Sequence, residues 1–362
     1  MEMPGTRLPN GSYTGNISQI LAVTGMKPKF VALPAKAIPE EVEMVGGKFL
    51  GVGYEITGDR ITFTVVNSAQ VLPQGRGRRR DSVTWSRADI EGMRAGTKAL
   101  TARCVLSWTM GIYNPLGLVS PLVLRAKVLL RRLQGKGRPL PWDRDMNREE
   151  KARWADLLQE ILQSKALRFP HSAAPEAEGP IHIVAFADGS LMGICAAHYL
   201  VWEQVKVGQQ SSALLIAKSR LALLQGTTTP QAELSGLVLA LRLSTLAVTM
   251  VNFRLASLSV LTDSQCTVAM TEKTGSMLKP YAANRVGEIE ELSRDIRKHV
   301  TILHPIAAIT GEDNPADLGT RGRVTLEELG RGSGNKVRTS WPSLAPSGPS
   351  EYPSQVVSPL RS

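Results

Sequence analysis

The chain has few cysteines, few aromatic residues and no long apolar run. Cys104, Cys195 and Cys266 are the only cysteines among 362 residues, and they stand far apart without C-x-x-C spacing. That pattern excludes a disulfide framework, disfavours a structural zinc site and suits reduced thiols in a cytoplasmic or nuclear protein. Aromatic residues make up 5% of the chain, although the hydrophobic fraction of 43% suffices for real cores. No uninterrupted apolar stretch reaches the roughly 18 residues of a membrane span, so no membrane partner is expected. The N-terminal residues, Met-Glu-Met-Pro-Gly, lack the charged-then-apolar pattern of a secretory signal. Neither Asp-Thr-Gly nor Asp-Ser-Gly occurs, which leaves an aspartic peptidase as a remote alternative only. No Asp-Asp dipeptide occurs either.

Positive charge is plentiful and unevenly placed. The net charge is +11. Residues 51–140 hold 15 Lys/Arg against 5 Asp/Glu, whereas residues 181–330 hold 13 against 14. A basic module joined to a nearly neutral, acid-centred one suits a polyanion: one part grips phosphates, the other holds metal. The candidate grips are Arg76, Arg78, Arg79 and Arg80 in a Gly-punctuated loop, and Arg125, Lys127, Arg131 and Arg132 on a helix. The alternative is a solvated loop and an ordinary charged surface.

The pattern divides the chain into five stretches. Residues 1–47 are Gly/Pro-punctuated with short apolar pieces and read as a truncated remnant. Within 48–169, residues 48–66 read as a β-hairpin. Helical stretches follow from Asp89 to about Met110, Pro121 to Leu133 and Asn147 to Gln163. Residues 170–180 form a Pro/Ala-rich linker, and the Ser/Pro/Gly-rich tail from 331 to 362 is expected to be disordered.

From 181 to 330 the expected elements are strands at 181–187, 193–202 and 212–219, then a helix from Pro230 to about Val248. A strand at 256–262, a short helix from Ser264, a helix over 279–298, a strand at 300–306 and a short helix over 324–329 follow. The fold class is α/β: a mixed five-stranded sheet with helices against it, preceded by a mainly helical region.

Four carboxylates occupy special places in this order. Asp188 follows an apolar strand, Glu233 lies just inside the helix that opens at Thr229-Pro230, Asp263 ends the strand at 256–262, and Asp317 sits in a loop after the last strand. Acids at strand ends and helix starts can converge at one sheet edge, where they repel one another unless a cation is present. Phosphodiester hydrolysis by two Mg²⁺ (or Mn²⁺) ions about 4 Å apart calls for such hard oxygen ligands. Asp188, Glu233, Asp263 and Asp317 are therefore candidates both as metal ligands and as the catalytic set. Each has a plainer reading: a turn former at Asp188, helix-dipole complementation at Glu233, and caps at Asp263-Ser264 and Asp317.

Several longer strings carry a resemblance. They are Phe49-Leu-Gly-Val-Gly-Tyr54, Tyr113-Asn-Pro-Leu-Gly-Leu-Val-Ser-Pro121, Phe186-Ala-Asp-Gly-Ser190, Ala217-Lys-Ser-Arg220, Pro230-Gln-Ala-Glu-Leu234, Thr262-Asp-Ser264, Lys279-Pro-Tyr-Ala-Ala-Asn-Arg-Val286 and Asn314-Pro-Ala-Asp-Leu-Gly-Thr-Arg-Gly322. In this order they resemble the downstream part of the Pol polyprotein of BEL/Pao-type LTR retrotransposons. The resemblance implies a reverse-transcriptase thumb/connection-like region over 48–169, after a reverse-transcriptase remnant in 1–47. It implies a ribonuclease H-like domain over 181–330 that cuts the RNA strand of RNA–DNA hybrids. It also implies a partner palm domain absent from this chain, since the palm's paired aspartates are missing. The family usually has Arg where Gln231 stands and Trp where Leu261 stands. His304 is not assigned the mobile-histidine role of cellular relatives. The competing reading is a catalytically silent or domesticated nucleic-acid-binding relic.

Overall fold

The computed structural model describes residues 6–7, 13–14, 48–49, 52–55, 60–63, 68–71, 81–112, 114–135, 140–164, 167–170, 179–204, 209–223, 227–251, 255–273, 275–321, 324 and 328–329. Short strands come first. β1 (Thr6–Arg7) pairs with β2 (Tyr13–Thr14). β3 (Lys48–Phe49), β4 (Val52–Glu55) and β5 (Arg60–Phe63) form the expected hairpin region, with all pairings antiparallel. β6 (Ser68–Val71) pairs with β7 (Asp81–Thr84). Further along the chain, β8 (Arg168–Pro170) returns to pair with β5.

The helical stretch expected over 89–110 is two helices, α1 (Arg87–Ala95) and α2 (Ala102–Met110). Local chemistry makes the break. Gly96 takes φ +81, a left-handed conformation that ends α1. The Thr101 hydroxyl then accepts from the Cys104 N–H and restarts the helix. α3 (Ser120–Leu133) carries Pro121 in its first turn, where the missing N–H costs nothing. α4 (Arg148–Gln163) starts at a reciprocal cap between Asn147 and Glu150. The four helices bury Trp108, Trp154, Met93, Leu122 and Leu158 in one core. Trp108 and Trp154 meet edge to face with ring centroids 5.4 Å apart, and Trp85 lies beside both. Val324 and Leu329 pack into this same core.

The second half builds a larger sheet. β9 (Ile181–Gly189), β10 (Gly193–Gln204) and β11 (Gln209–Leu221) run antiparallel. α5 (Thr229–Met250) crosses to β12 (Leu255–Thr262), which lies parallel to β9 on its other side. α6 (Gln265–Thr271) and α7 (Pro280–Ile296) lead to β13 (Val300–Leu303), parallel to β12. A two-residue strand, β14 (Ala307–Ala308), adds to the same edge of β12. The order is therefore β11-β10-β9-β12-β13, the expected mixed five-stranded path with β14 as a sixth strand. Of the helix expected over 324–329, the described residues include only 324, 328 and 329.

α5 is the keystone of this layer. Its length and mean hydropathy of 1.4 match a membrane span by composition, yet 61% of its most apolar window is buried inside the protein. Leu234, Leu237 and Leu241 pack on Ile183, Ala185, Ala187 and Leu258 of the sheet. The opposite sheet face buries Val184, Phe186, Cys195 and Tyr199 against Ala316.

Candidate active site

Alternation along β9 puts Asp188 on the face of Val184 and Phe186, level with Cys195 on β10. Asp188 is 8% exposed, a low value for a carboxylate. Its Oδ2 accepts a hydrogen bond from the Thr320 hydroxyl. The Asn314 side chain donates to the neighbouring Ala187 carbonyl at 3.0 Å, which ties the 314–320 segment to the end of β9. Burial pushes the Asp188 carboxyl above the usual range; Thr320 opposes the rise, and the charges of Asp263 and Asp317 add to it.

Two glycines bring α5 onto this strand end. A Cβ on Gly189 would stand 2.2 Å from the Ala232 carbonyl and 2.4 Å from the Glu233 nitrogen. A Cβ on Gly236 would stand 2.4 Å from the Asp188 oxygen. The backbones of β9 and α5 thus touch, and Glu233 is set beside Asp188. Glu233 lies beyond the first turn of α5, so helix-dipole complementation does not explain it. Gln231, which stands where the resembling family has Arg, accepts from the Thr228 N–H at 2.9 Å and caps the helix.

Asp263 follows β12 directly, anchored by the Ile309 N–H on the Thr262 carbonyl at 2.8 Å. The cap of α6 is Ser264, whose hydroxyl accepts from the Thr267 N–H at 3.2 Å. The same hydroxyl donates to Glu233 Oε2 at 2.5 Å and so links the Glu233 and Asp263 positions. Asp317 lies in a 3-10 turn, Pro315–Gly319, where its carboxylate forms an ion pair with Arg321.

Asp263 and Asp317 are near enough to act electrostatically on Asp188, and Glu233, on α5, is tied to the Asp263 position through Ser264. Among the described residues, however, no three Asp, Glu, His or Cys gather into a ready metal-ion group. The donor set fits a hard divalent cation by chemistry: carboxylate oxygens under mutual repulsion around a buried centre. Arg321 occupies the fourth of them. His304, at the end of β13, gives its N–H to the Leu258 carbonyl at 3.0 Å.

The basic residues divide. Arg76, Arg78, Arg79 and Arg80 lie outside the described residues. Arg125 is paired with Glu160. Arg131 donates to the carbonyls of Ala222 at 2.8 Å and Met192 at 3.0 Å, clipping α3 to the sheet. Lys127 is half-buried and Arg132 exposed, and neither has an ion-pair partner among the described residues. A cavity of about 1110 Å³ between α3 and α4 is lined by Arg125, Arg132 and Arg153 and reaches Thr320 and Arg321 at the acid edge. Sequence reasoning missed Thr320, Arg321, Ser264 and Asn314, although each lies in or beside a string quoted for the resemblance.

The mixed strand order with helices against the sheet is the expected ribonuclease H-like fold class. Residues 101–264 match the family model described as Pao retrotransposon-like RNaseH-like domain, which bears out the resemblance to Pao-type Pol sequences. The matched span runs from the helical region into the sheet and includes Asp188, Glu233 and Asp263. No curated protein matches the chain. Among solved structures, the N-terminal RNase H domain of a Mycobacterium tuberculosis protein is similar at 17% identity and TM-score 0.25, covering 37% of this chain and 86% of that one. RNase H1 from Halobacterium salinarum is similar at 16% identity and TM-score 0.22, covering 38% and 91%. A foamy viral protease–reverse transcriptase in complex with RNA/DNA hybrid is similar at 12% identity and TM-score 0.22, covering 50% and 26%.

Proposed function

We propose that the chain binds RNA–DNA hybrids and hydrolyses their RNA strand at the edge formed by Asp188, Glu233, Asp263 and Asp317. The observation that carries this reading is the burial of Asp188 among like charges, an arrangement that a divalent cation relieves. Asp188, Glu233 and Asp263 would hold such a cation, joined by Asp317 once it parts from Arg321. A bound Mg²⁺ or Mn²⁺ supplies an acidified water and charge relief on the leaving oxygen. The chain's own contribution is placement. Thr320 fixes the Asp188 carboxylate, Ser264 fixes Glu233, and the close approach of α5 to β9 holds both acids on rigid elements.

A second reading, a nucleic-acid-binding relic without turnover, is favoured by the Arg321–Asp317 ion pair. One experiment separates the two. The purified chain is incubated with an end-labelled RNA–DNA hybrid and Mg²⁺ or Mn²⁺, beside Asp188→Asn. Metal-dependent cleavage lost in the variant supports hydrolysis. Cleavage that persists unchanged in Asp188→Asn defeats the site assignment, and binding without cleavage by either protein favours the relic.

A further inference from the structure

Among the described residues, Arg321 is the one Lys or Arg that pairs with any of the four acids. It does so locally. Arg321 follows the 3-10 turn Pro315–Gly319, and its N–H donates to the Asp317 carbonyl at 3.0 Å. Its guanidinium meets the Asp317 carboxylate of the same turn. A second acid is within reach. Glu328 Oε1 lies 4.0 Å from Arg321 Nη1, at the outer limit of an ion pair. One guanidinium therefore faces two carboxylates and holds the one that belongs to the acid site.

Both carboxylates stand on anchored backbone. Ala316 is buried on the sheet face of Phe186 and Cys195, and a Cβ on Gly319 would stand 2.0 Å from Cys195 Sγ. The Ser190 hydroxyl donates to the Thr320 carbonyl at 3.3 Å. The turn that carries Asp317 is thereby clamped to the sheet. Glu328 precedes Leu329, which is buried with Val324 in the core of the four helices. Arg321 differs from both acids. Its side chain is 48% exposed and lines the cavity beside α3 and α4, so the guanidinium has room to turn while the backbone stays in place.

Electrostatics gives that turn a direction. Beside a bound divalent cation the guanidinium is repelled, and the Asp317 carboxylate is drawn towards the ion. Glu328 then receives the displaced charge, so the exchange leaves no carboxylate–arginine pair simply broken. The pair to be opened joins partly exposed groups and is of modest strength.

We propose that Arg321 is an internal counter-ion of the acid site, a positioning residue that holds Asp317 when no metal is bound and moves to Glu328 when a divalent cation takes its place. The proposal rests on the metal reading of the four acids and adds to it a residue that sets the affinity for the ion.

The test is calorimetric titration of the full chain with Mn²⁺, beside thermal melts in EDTA and in Mn²⁺. Opening a partly exposed ion pair is worth up to about fivefold in an equilibrium constant, so Arg321→Gln is expected to bind Mn²⁺ about fivefold more tightly than wild type. In EDTA the same variant should melt lower, because Asp317 has lost its partner. Arg321→Lys keeps the charge and should stay near wild type in both measurements. Glu328→Gln removes the alternative partner and is expected to weaken Mn²⁺ binding by about twofold or more. That weakening should vanish in the Arg321→Gln background, since the two residues act as a pair. A merely structural role would lower stability without these opposite signs in affinity. Equal affinity of wild type and Arg321→Gln, or a Glu328→Gln effect that persists in the Arg321→Gln background, overturns the proposal and leaves the metal reading standing. Mn²⁺ bound equally well by Asp188→Asn, or by none of these proteins, defeats the metal reading itself, and the proposal falls with it.

Discussion

The Thr320 hydroxyl donates to Asp188 Oδ2 across 132 residues of chain. The same hydroxyl lies 3.1 Å from the Asp317 carbonyl, so one residue connects two of the four acids. Thr320→Val removes the donor and leaves a buried carboxylate short of a hydrogen bond, at a stability cost of about 1–3 kcal/mol. Thr320 opposes the rise in the Asp188 carboxyl, so its loss moves that group further up. The acid limb of the pH–rate profile is expected to shift to higher pH, with a rate loss of roughly tenfold near neutrality for each 1.4 kcal/mol of lost stabilisation. Thr320→Ser should restore both. An unchanged profile in Thr320→Val would separate Thr320 from the chemistry.

Asp188 itself costs the fold stability. Its folded carboxyl sits above its unfolded value of about 3.8, so the native state retains the proton longer. Stability therefore falls as pH rises through that window, and the penalty is fully present above it. Asp188→Asn is expected to melt higher than wild type at pH 8, by on the order of 1 kcal/mol or a few degrees. The advantage should fade below the unfolded value. Mg²⁺ should reverse the order: at about 100 times Kd it stabilises wild type by roughly 2.7 kcal/mol and leaves Asp188→Asn unmoved. Thermal melts with and without metal check both signs.

His198 sets a second pH dependence, away from the acids. It is buried under α5, where its Nε2–H donates to the Ala240 carbonyl at 3.0 Å, with Ser244 Oγ at 2.9 Å. Burial lowers its pKa to about 4. Its folded value lies below the unfolded one, so its neutral form contributes stability that is complete above about 6.5 and is lost as pH falls towards 4. The loss is at most about 3 kcal/mol. His198→Leu should flatten this part of the stability profile in urea titrations between pH 4 and 7, even if it lowers the plateau.

The α3 and α4 helices and the strand order were legible because they rest on local signals. Apolar periodicity, Pro121 in a first turn and Asn147 with Glu150 mark the helices; apolar runs and crossover lengths mark the sheet. The break after Ala95 was less visible, since it needs only Gly96 and the Thr101 hydroxyl. The acids were legible because each stands at the end of an element. Thr320 and Arg321 were not, because they act only once a 3-10 turn folds back onto Ser190 and Asp188. Sequence also offered no sign that Arg125 and Arg131 are engaged inside the protein, by Glu160 and by two carbonyls.

The contact between Gly189 and α5 ties fold to site most tightly. Gly189 is the last residue of β9, directly after Asp188. In the structure its lack of a side chain lets the Ala232–Glu233 backbone approach β9. A methyl group there would meet backbone atoms, which cannot rotate aside, so either β9 or the start of α5 must shift. Gly189→Ala is expected to destabilise by more than about 2 kcal/mol, in the range of overpacking a well-packed core. The displaced helix carries Glu233 away from Asp188 and from Ser264. Near-neutral stability together with normal hybrid cleavage would show that α5 is not clamped at this point. If the variant folds, metal-dependent cleavage is expected to fall by at least about tenfold. A displacement of even about 1 Å is enough to cost such a factor or more.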